Sequence, residues 1–176
     1  MKLILFCQTY LPRFGLQYID HRKRFKMALK IGQKAPDFTL PSTNGKMFRL
    51  SKVFEGRPCI IYFYPKDFTG GCTAEACEFR DQFEEFKELD IYIVGISRDD
   101  MATHMRFKEQ YNLPFELLSD SSGKTCQAYD ALVPLIRVPK RITYLLDENH
   151  VIQAIYQDMF DGKAHIEQMI KSLKIS

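Results

Sequence analysis

The chain has 176 residues, one domain's worth and long enough to bury a full core. Its 45% hydrophobic and 27% charged content is ordinary for a globular protein, and no apolar run is long enough for a membrane-spanning helix. The net charge of +3 belongs to one end: residues 1–26 carry Lys2, Arg13, Arg22, Lys23, Arg24 and Lys26 against Asp20, and the remainder nets −2, so a nucleic-acid partner has no support.

That leader is set apart in other ways. Leu3-Ile4-Leu5-Phe6 is too short for a signal h-region, and no small-residue cleavage site follows. A transit peptide is conceivable, but serine is absent from the segment. Met27 opens Met-Ala-Leu-Lys-Ile-Gly, and we expect a basic leader over 1–26, from a misassigned start, and a working domain over 27–176.

Within the domain, two short extended runs over 37–40 and 47–50 flank Asn44-Gly45, a hairpin signal. Ser51 is expected to cap a short helix to Glu55, ended by Gly56. The charge-free run over 59–64, rich in β-branched and aromatic residues, predicts a strand buried on both faces. Ala76, Phe79, Phe83 and Phe86 then recur at helical spacing, predicting a helix from about Cys72 to Leu89. A second buried strand covers 91–97, and Asp99 or Asp100 caps a helix to about Tyr111 before Pro114. A short strand at 115–118, a helix over 121–129 carrying Cys126 as core filler, and a hairpin of 142–146 with 151–155 follow. A last helix over 163–173 would bury Ile166, Met169, Ile170 and Leu173. Alternating strands and helices, ending in a hairpin and a helix, suit an α/β sandwich of the thioredoxin type, with a central mixed sheet flanked by helices.

The most informative stretch is 65–77, between the first buried strand and its helix. Cys72 falls where that helix begins, facing unpaired backbone N–H groups and the positive end of the macrodipole. Both favour thiolate over thiol, the address of a reactive cysteine; a small core hydrophobe is the other reading. Thr69 supplies a hydroxyl able to donate and accept beside the sulfur, and Pro65 a rigid wall without an N–H. Loop punctuation and a polar helix-start residue are the plain alternatives for these two.

Pro65, Thr69 and Cys72, in Pro-x3-Thr-x2-Cys spacing, resemble the active-site signature of the peroxiredoxins. The longer strings Tyr62-Phe63-Tyr64-Pro65-Lys66-Asp67 and Cys72-Thr73-Ala74-Glu75-Ala76-Cys77-Glu78-Phe79-Arg80-Asp81 are similar to the Q-type branch, also called bacterioferritin comigratory protein. Similarity runs from about Ile31 to the C-terminus. Gly70 departs from the branch, which usually has Pro there, and bears on loop stiffness rather than on chemistry.

The resemblance implies that Cys72 is the peroxidatic cysteine and Cys77 the resolving one, within a single chain. It also implies a conserved-type arginine opening a strand as Arg-x-Thr, which Arg141-Ile142-Thr143 resembles; Arg137 is the nearby rival. A permanent cation suits holding a thiolate and polarising a peroxide. Glu75 matches the acid three residues after the peroxidatic cysteine, and would also favour the first helical turn. The expected activity is a thiol peroxidase acting on hydrogen peroxide or organic hydroperoxides, without metal or other cofactor, recycled by thioredoxin or a similar dithiol protein. The alternatives are a thiol-based redox sensor or, less favoured without a Cys-x-x-Cys, a disulfide reductase. The expected state is a monomer or weak dimer, free of membrane and nucleic acid.

Spacing limits the disulfide. Helical residues i and i+5 lie ~140° apart around the axis, with Cα atoms roughly 8.6 Å apart, whereas a disulfide spans up to about 7 Å. A Cys72–Cys77 bond therefore requires local unwinding and is transient rather than structural. Five cysteines without a framework fit a reducing compartment, the cytoplasm, and no Cys/His cluster has zinc-ligand spacing. Arg80 is expected to pair with a carboxylate. His21, His104, His150 and His165 form no constellation and are expected at the surface.

Overall fold

Over residues 47–146 strands and helices follow one another because short apolar runs are separated by stretches of helical apolar spacing. A computed structural model describes residues 29–157 together with Ile166 and Met169. The leader and most of the last predicted helix lie outside the described residues; Ile166 and Met169 are helical and buried, as expected of them. The elements are β1 Thr39–Pro41, β2 Met47–Arg49, α1 Leu50–Val53, β3 Cys59–Phe63, α2 Gly70–Asp81, α3 Phe83–Glu88, β4 Tyr92–Ser97, α4 Met101–Gln110, β5 Glu116–Ser119, α5 Lys124–Ala128, β6 Ile142–Leu146 and β7 Ile152–Gln157.

The main sheet has the order β5-β4-β3-β6-β7. β3, β4 and β5 are parallel to one another, while β6 runs antiparallel to β3 and to β7, giving the mixed sheet. β1 and β2 form a separate antiparallel hairpin around the expected turn, where Gly45 has φ 78° and only glycine is unstrained.

β3 is central, and all five of its residues are buried. Side chains alternate across a strand, so the pleat divides it between two cores. Cys59, Ile61 and Phe63 join one core with the hairpin, while Ile60, Tyr62 and Tyr64 join another with Cys72, Ala76 and Phe79 of α2. The same parity holds in β6: Ile142, Tyr144 and Leu146 face the first core and Leu145 the second. Gly95 in β4 lies opposite Tyr62, and a Cβ there would sit 2.5 Å from the tyrosine ring and hydroxyl. The strand needs glycine at that point to let the ring pass.

Four expectations are corrected. The helix predicted to Leu89 breaks at Gln82 (φ −96°, ψ 5°) into α2 and α3. Phe79 and Phe86 stay in one core across the break, and one residue with non-helical dihedrals leaves apolar spacing undisturbed. Ser51 does not cap α1, whose N-cap is Arg49; its hydroxyl and N–H instead donate to Asp37 at 2.8 and 3.0 Å. α1 ends at Val53, short of Glu55. His104 and His150 are buried, not at the surface: His104 pairs with Asp67, and His150 Nε2 meets the Phe54 carbonyl at 2.8 Å. Burial of each ring is compensated by a partner at one nitrogen, and isolated spacing does not reveal that partner.

Candidate active site

β3 delivers the chain at its C-terminal end into residues 65–69, which lead into α2. Thr69 is the N-cap of that helix by backbone conformation (φ −94°, ψ 144°), and its carbonyl accepts the Thr73 N–H at 2.8 Å. Its hydroxyl donates to the Lys66 carbonyl at 3.0 Å rather than capping the helix. Thr69 is exposed and Pro65 half-buried beside it.

Cys72 is the third residue of α2, in the first turn as expected. It is buried, at 2% exposure, and faces the second core. Glu75 lies one turn on along the same face, also buried. Arg141 enters from just before β6, and its parity with Leu145 aims it at the face of the sheet that α2 covers. Its Nη2 donates to Cys72 Sγ at 3.3 Å, and its Nη1 to Glu75 Oε2 in a close ion pair. Gly71 completes the fit, because a Cβ there would lie 3.1 Å from Arg141 Nη2.

Arg137 takes no part in this cluster. It is exposed, with φ 53°, and donates to the Ser122 carbonyl at 3.3 Å. Glu75 is corrected in one respect: α2 begins at Gly70, so its first turn holds no acid, and Glu75 pairs with Arg141 rather than with the helix end. Burial pushes the Glu75 carboxyl up to about 7, against the opposing pull of Arg141.

Cys77 is half-buried and off the face that Cys72 and Glu75 share, as i+5 spacing requires. The thiols are free, and Cys72 and Cys77 belong to one unbroken helix. Arg80, one turn beyond, pairs with Asp81 at 2.7 Å, donates to the Tyr111 carbonyl at 2.9 Å, and also interacts with Cys77. The other two described cysteines differ in kind. Burial pushes the Cys59 and Cys126 thiols well up, and among the described residues no guanidinium donates to either sulfur. Among the described residues, no three His, Cys, Asp or Glu side chains gather to hold a metal ion, and no helix is long and apolar enough to cross a membrane.

One group escaped the sequence reading. Asp67 is buried under the loop, its Oδ1 accepting from Tyr64 at 2.7 Å and its Oδ2 lying 2.7 Å from His104 Nδ1. Asp67 stands in the quoted string beside Pro65, but no local pattern links it to a histidine 37 positions away.

Comparison with known proteins gives the family. Residues 31–155 match the AhpC/TSA family, and the chain belongs to it. A chloroplastic peroxiredoxin Q of Oryza sativa subsp. japonica is 46% identical over 81% of this chain and 66% of its own length, so the chain spans just under two thirds of that relative. A bcp peroxiredoxin of Coxiella burnetii is 42% identical over 84% of this chain and all of its own length. Within the family, the chain is therefore a member of the peroxiredoxin Q/bcp branch. Peroxidoxin BcpB from Mycobacterium tuberculosis superposes with a TM-score of 0.78 at 33% identity, covering 84% of this chain and 97% of that one. A cysteine-to-serine variant of Xylella fastidiosa PrxQ gives 0.76 at 26% identity, covering 85% and 98%. The fold is thioredoxin-like, as expected.

Proposed function

We propose that the chain is a thiol peroxidase in which Cys72 attacks the peroxide. The observation that carries this reading is the Arg141 guanidinium donating to Cys72 Sγ at the start of α2. A permanent cation beside the sulfur, together with free N–H groups of the first turn, is the environment that an anionic nucleophile needs. Cys72 forms an S–O bond as the O–O bond breaks, and the departing oxygen takes a proton and leaves as water or an alcohol. Arg141 stabilises the negative charge developing on that oxygen. Thr69 orients the peroxide through its hydroxyl, Pro65 stiffens the loop, and Glu75 holds Arg141 in place.

Cys77 then attacks the Cys72 sulfenic sulfur, forming the disulfide and releasing water. Two electrons from thioredoxin or a similar dithiol protein restore both thiols. Hydrogen peroxide and organic hydroperoxides are the substrates, and no further cofactor is called for. A monomer or weak dimer is the assembly this reading expects. The working unit is residues 27–176. The cytoplasm fits the cysteine content, although the rice relative is named as chloroplastic.

The test is peroxide consumption coupled to a thioredoxin system. Repeated turnover that stops in Cys72→Ser supports the enzyme. A single oxidation event without catalytic recycling would point to the sensor instead.

A further inference from the structure

Residues 65–69 must hold their shape with little regular hydrogen bonding of their own. Phe68 and Thr69 are exposed, and Phe68 has φ 58°, a conformation that a bulky residue adopts only when its surroundings impose it. What imposes it lies one residue earlier. Asp67 is 2% exposed and is tied to three different parts of the fold. Its Oδ1 accepts from Tyr64 at the end of β3, its Oδ2 meets His104 Nδ1 on α4, and its N–H donates to Asp99 Oδ2 at 2.8 Å. Asp99 is itself fixed by the Ser97 hydroxyl at 2.8 Å. The Phe68 ring then packs edge-on against Phe107 of the same α4, 5.1 Å between centroids.

This cluster does not have the character of a stability device. A carboxylate only accepts, so the hydrogen between His104 and Asp67 sits on Nδ1, and among the described residues the buried Nε2 meets no partner. A polar cluster whose members are only partly paired stabilises a fold less than apolar packing does. Its placement directly under the loop that bears Thr69 and feeds Cys72 indicates a positional purpose.

We propose that Asp67, clamped by His104 and Tyr64, is a positioning residue that sets the 65–69 loop for the attack of Cys72 on peroxide. The inference rests on the peroxidase reading. Arg141 reaches Cys72 from just before β6, and its hydrogen bonds go to Cys72 and Glu75 rather than to any member of the clamp. Loss of the clamp therefore slows the peroxide step and spares the reactivity of the thiol toward an alkylating agent, which needs no oriented oxygen.

The experiment uses the full chain and stopped-flow oxidation by hydrogen peroxide, with iodoacetamide alkylation of Cys72 and thermal unfolding alongside. His104→Leu fills the volume without a donor, and His104→Asn returns a donor near Nδ1. Tyr64→Phe removes a single bond to Asp67 and keeps the ring, so it decides the matter if His104→Leu does not fold. The expected result is a peroxide step ~10- to 100-fold slower in His104→Leu, since a displacement of about 1 Å can cost that much. Several-fold slowing is expected in Tyr64→Phe, most of the rate returns in His104→Asn, and alkylation stays within about twofold throughout. Unchanged peroxide rates in the folded variants would overturn the positioning role alone. So would parallel losses of oxidation and alkylation that track the melting temperature, with no recovery in His104→Asn. A wild-type Cys72 inert to peroxide would instead remove the peroxidase reading, and this inference with it.

Discussion

Arg141 Nη2 donates to Cys72 Sγ across 3.3 Å, joining two residues 69 positions apart in the chain. The contact exists because β6 lies beside β3, and because Arg141 falls on the side of the sheet that α2 covers. Cys72→Ser is expected to abolish turnover with the fold intact, since an alcohol is not ionised near neutral pH. Arg141→Met should slow oxidation by roughly 10²- to 10³-fold, the range for loss of one preorganised charge donor. Stopped-flow oxidation checks both. If Arg137→Met were the damaging change instead, the assignment of the arginine would fall.

Glu75 gives the site a pH dependence of stability. Its carboxyl lies near 7 in the folded chain against an ordinary value of 4.5, raised by burial, with Arg141 pulling the other way. A group raised on folding contributes stability that is fully present below its unfolded value and is lost as pH rises through the folded one. Relative to Glu75→Gln, the wild type should thus lose stability between pH 4.5 and about 7, by about 3 kcal/mol at most. Denaturant unfolding of both proteins from pH 4.5 to 8 measures the gap; a constant difference across that range would refute the burial argument.

Cys72 and Cys77 share one helix at a separation too wide to bridge, so oxidation should unwind the first turns of α2. Amides from Thr73 to Arg80 are expected to exchange faster in the disulfide form, as freed N–H groups do. Cys77→Ser should complete one round of peroxide reduction and then over-oxidise more readily, because its sulfenic acid waits for an external thiol. Hydrogen exchange and intact mass decide the two points. Equal protection of α2 in both redox forms would exclude unwinding.

Gly70 opens α2 with open space around it, and Thr69 before it is extended (φ −94°, ψ 144°), a conformation proline tolerates in its predecessor. Proline suits the first helical position. Gly70→Pro should raise stability by about 0.4–1 kcal/mol through the unfolded chain. A lower melting temperature would show that the loop needs the flexibility glycine gives.

The charge of the leader is separate from that of the remainder, and Gly32, near the start of the described residues, already donates to the Ile152 carbonyl at 2.8 Å. A chain beginning at Met27 should therefore melt and turn over like the full one. A fall of several degrees in the melting temperature would mean that residues 1–26 contribute to the fold.

Local periodicity was enough to find β3, β4, α4 and both hairpins, because burial on one face or two leaves its period in the sequence. It also located Cys72, since a glycine-containing loop between a buried strand and an apolar helical stripe places a residue at a helix N-terminus wherever it occurs. The Pro-x3-Thr-x2-Cys spacing then pointed to the family. Tertiary structure decided what met that sulfur. The Arg-x-Thr resemblance favoured Arg141 over Arg137, but only strand order and pleat parity carry Arg141 to Cys72 and leave Arg137 exposed. The break at Gln82 and the burial of His104 against Asp67 were likewise invisible, the first because one residue's dihedrals do not alter apolar spacing. The second was hidden because a hydrogen bond between β3's exit loop and α4 depends on how those elements pack, and residues 37 apart carry no shared local pattern.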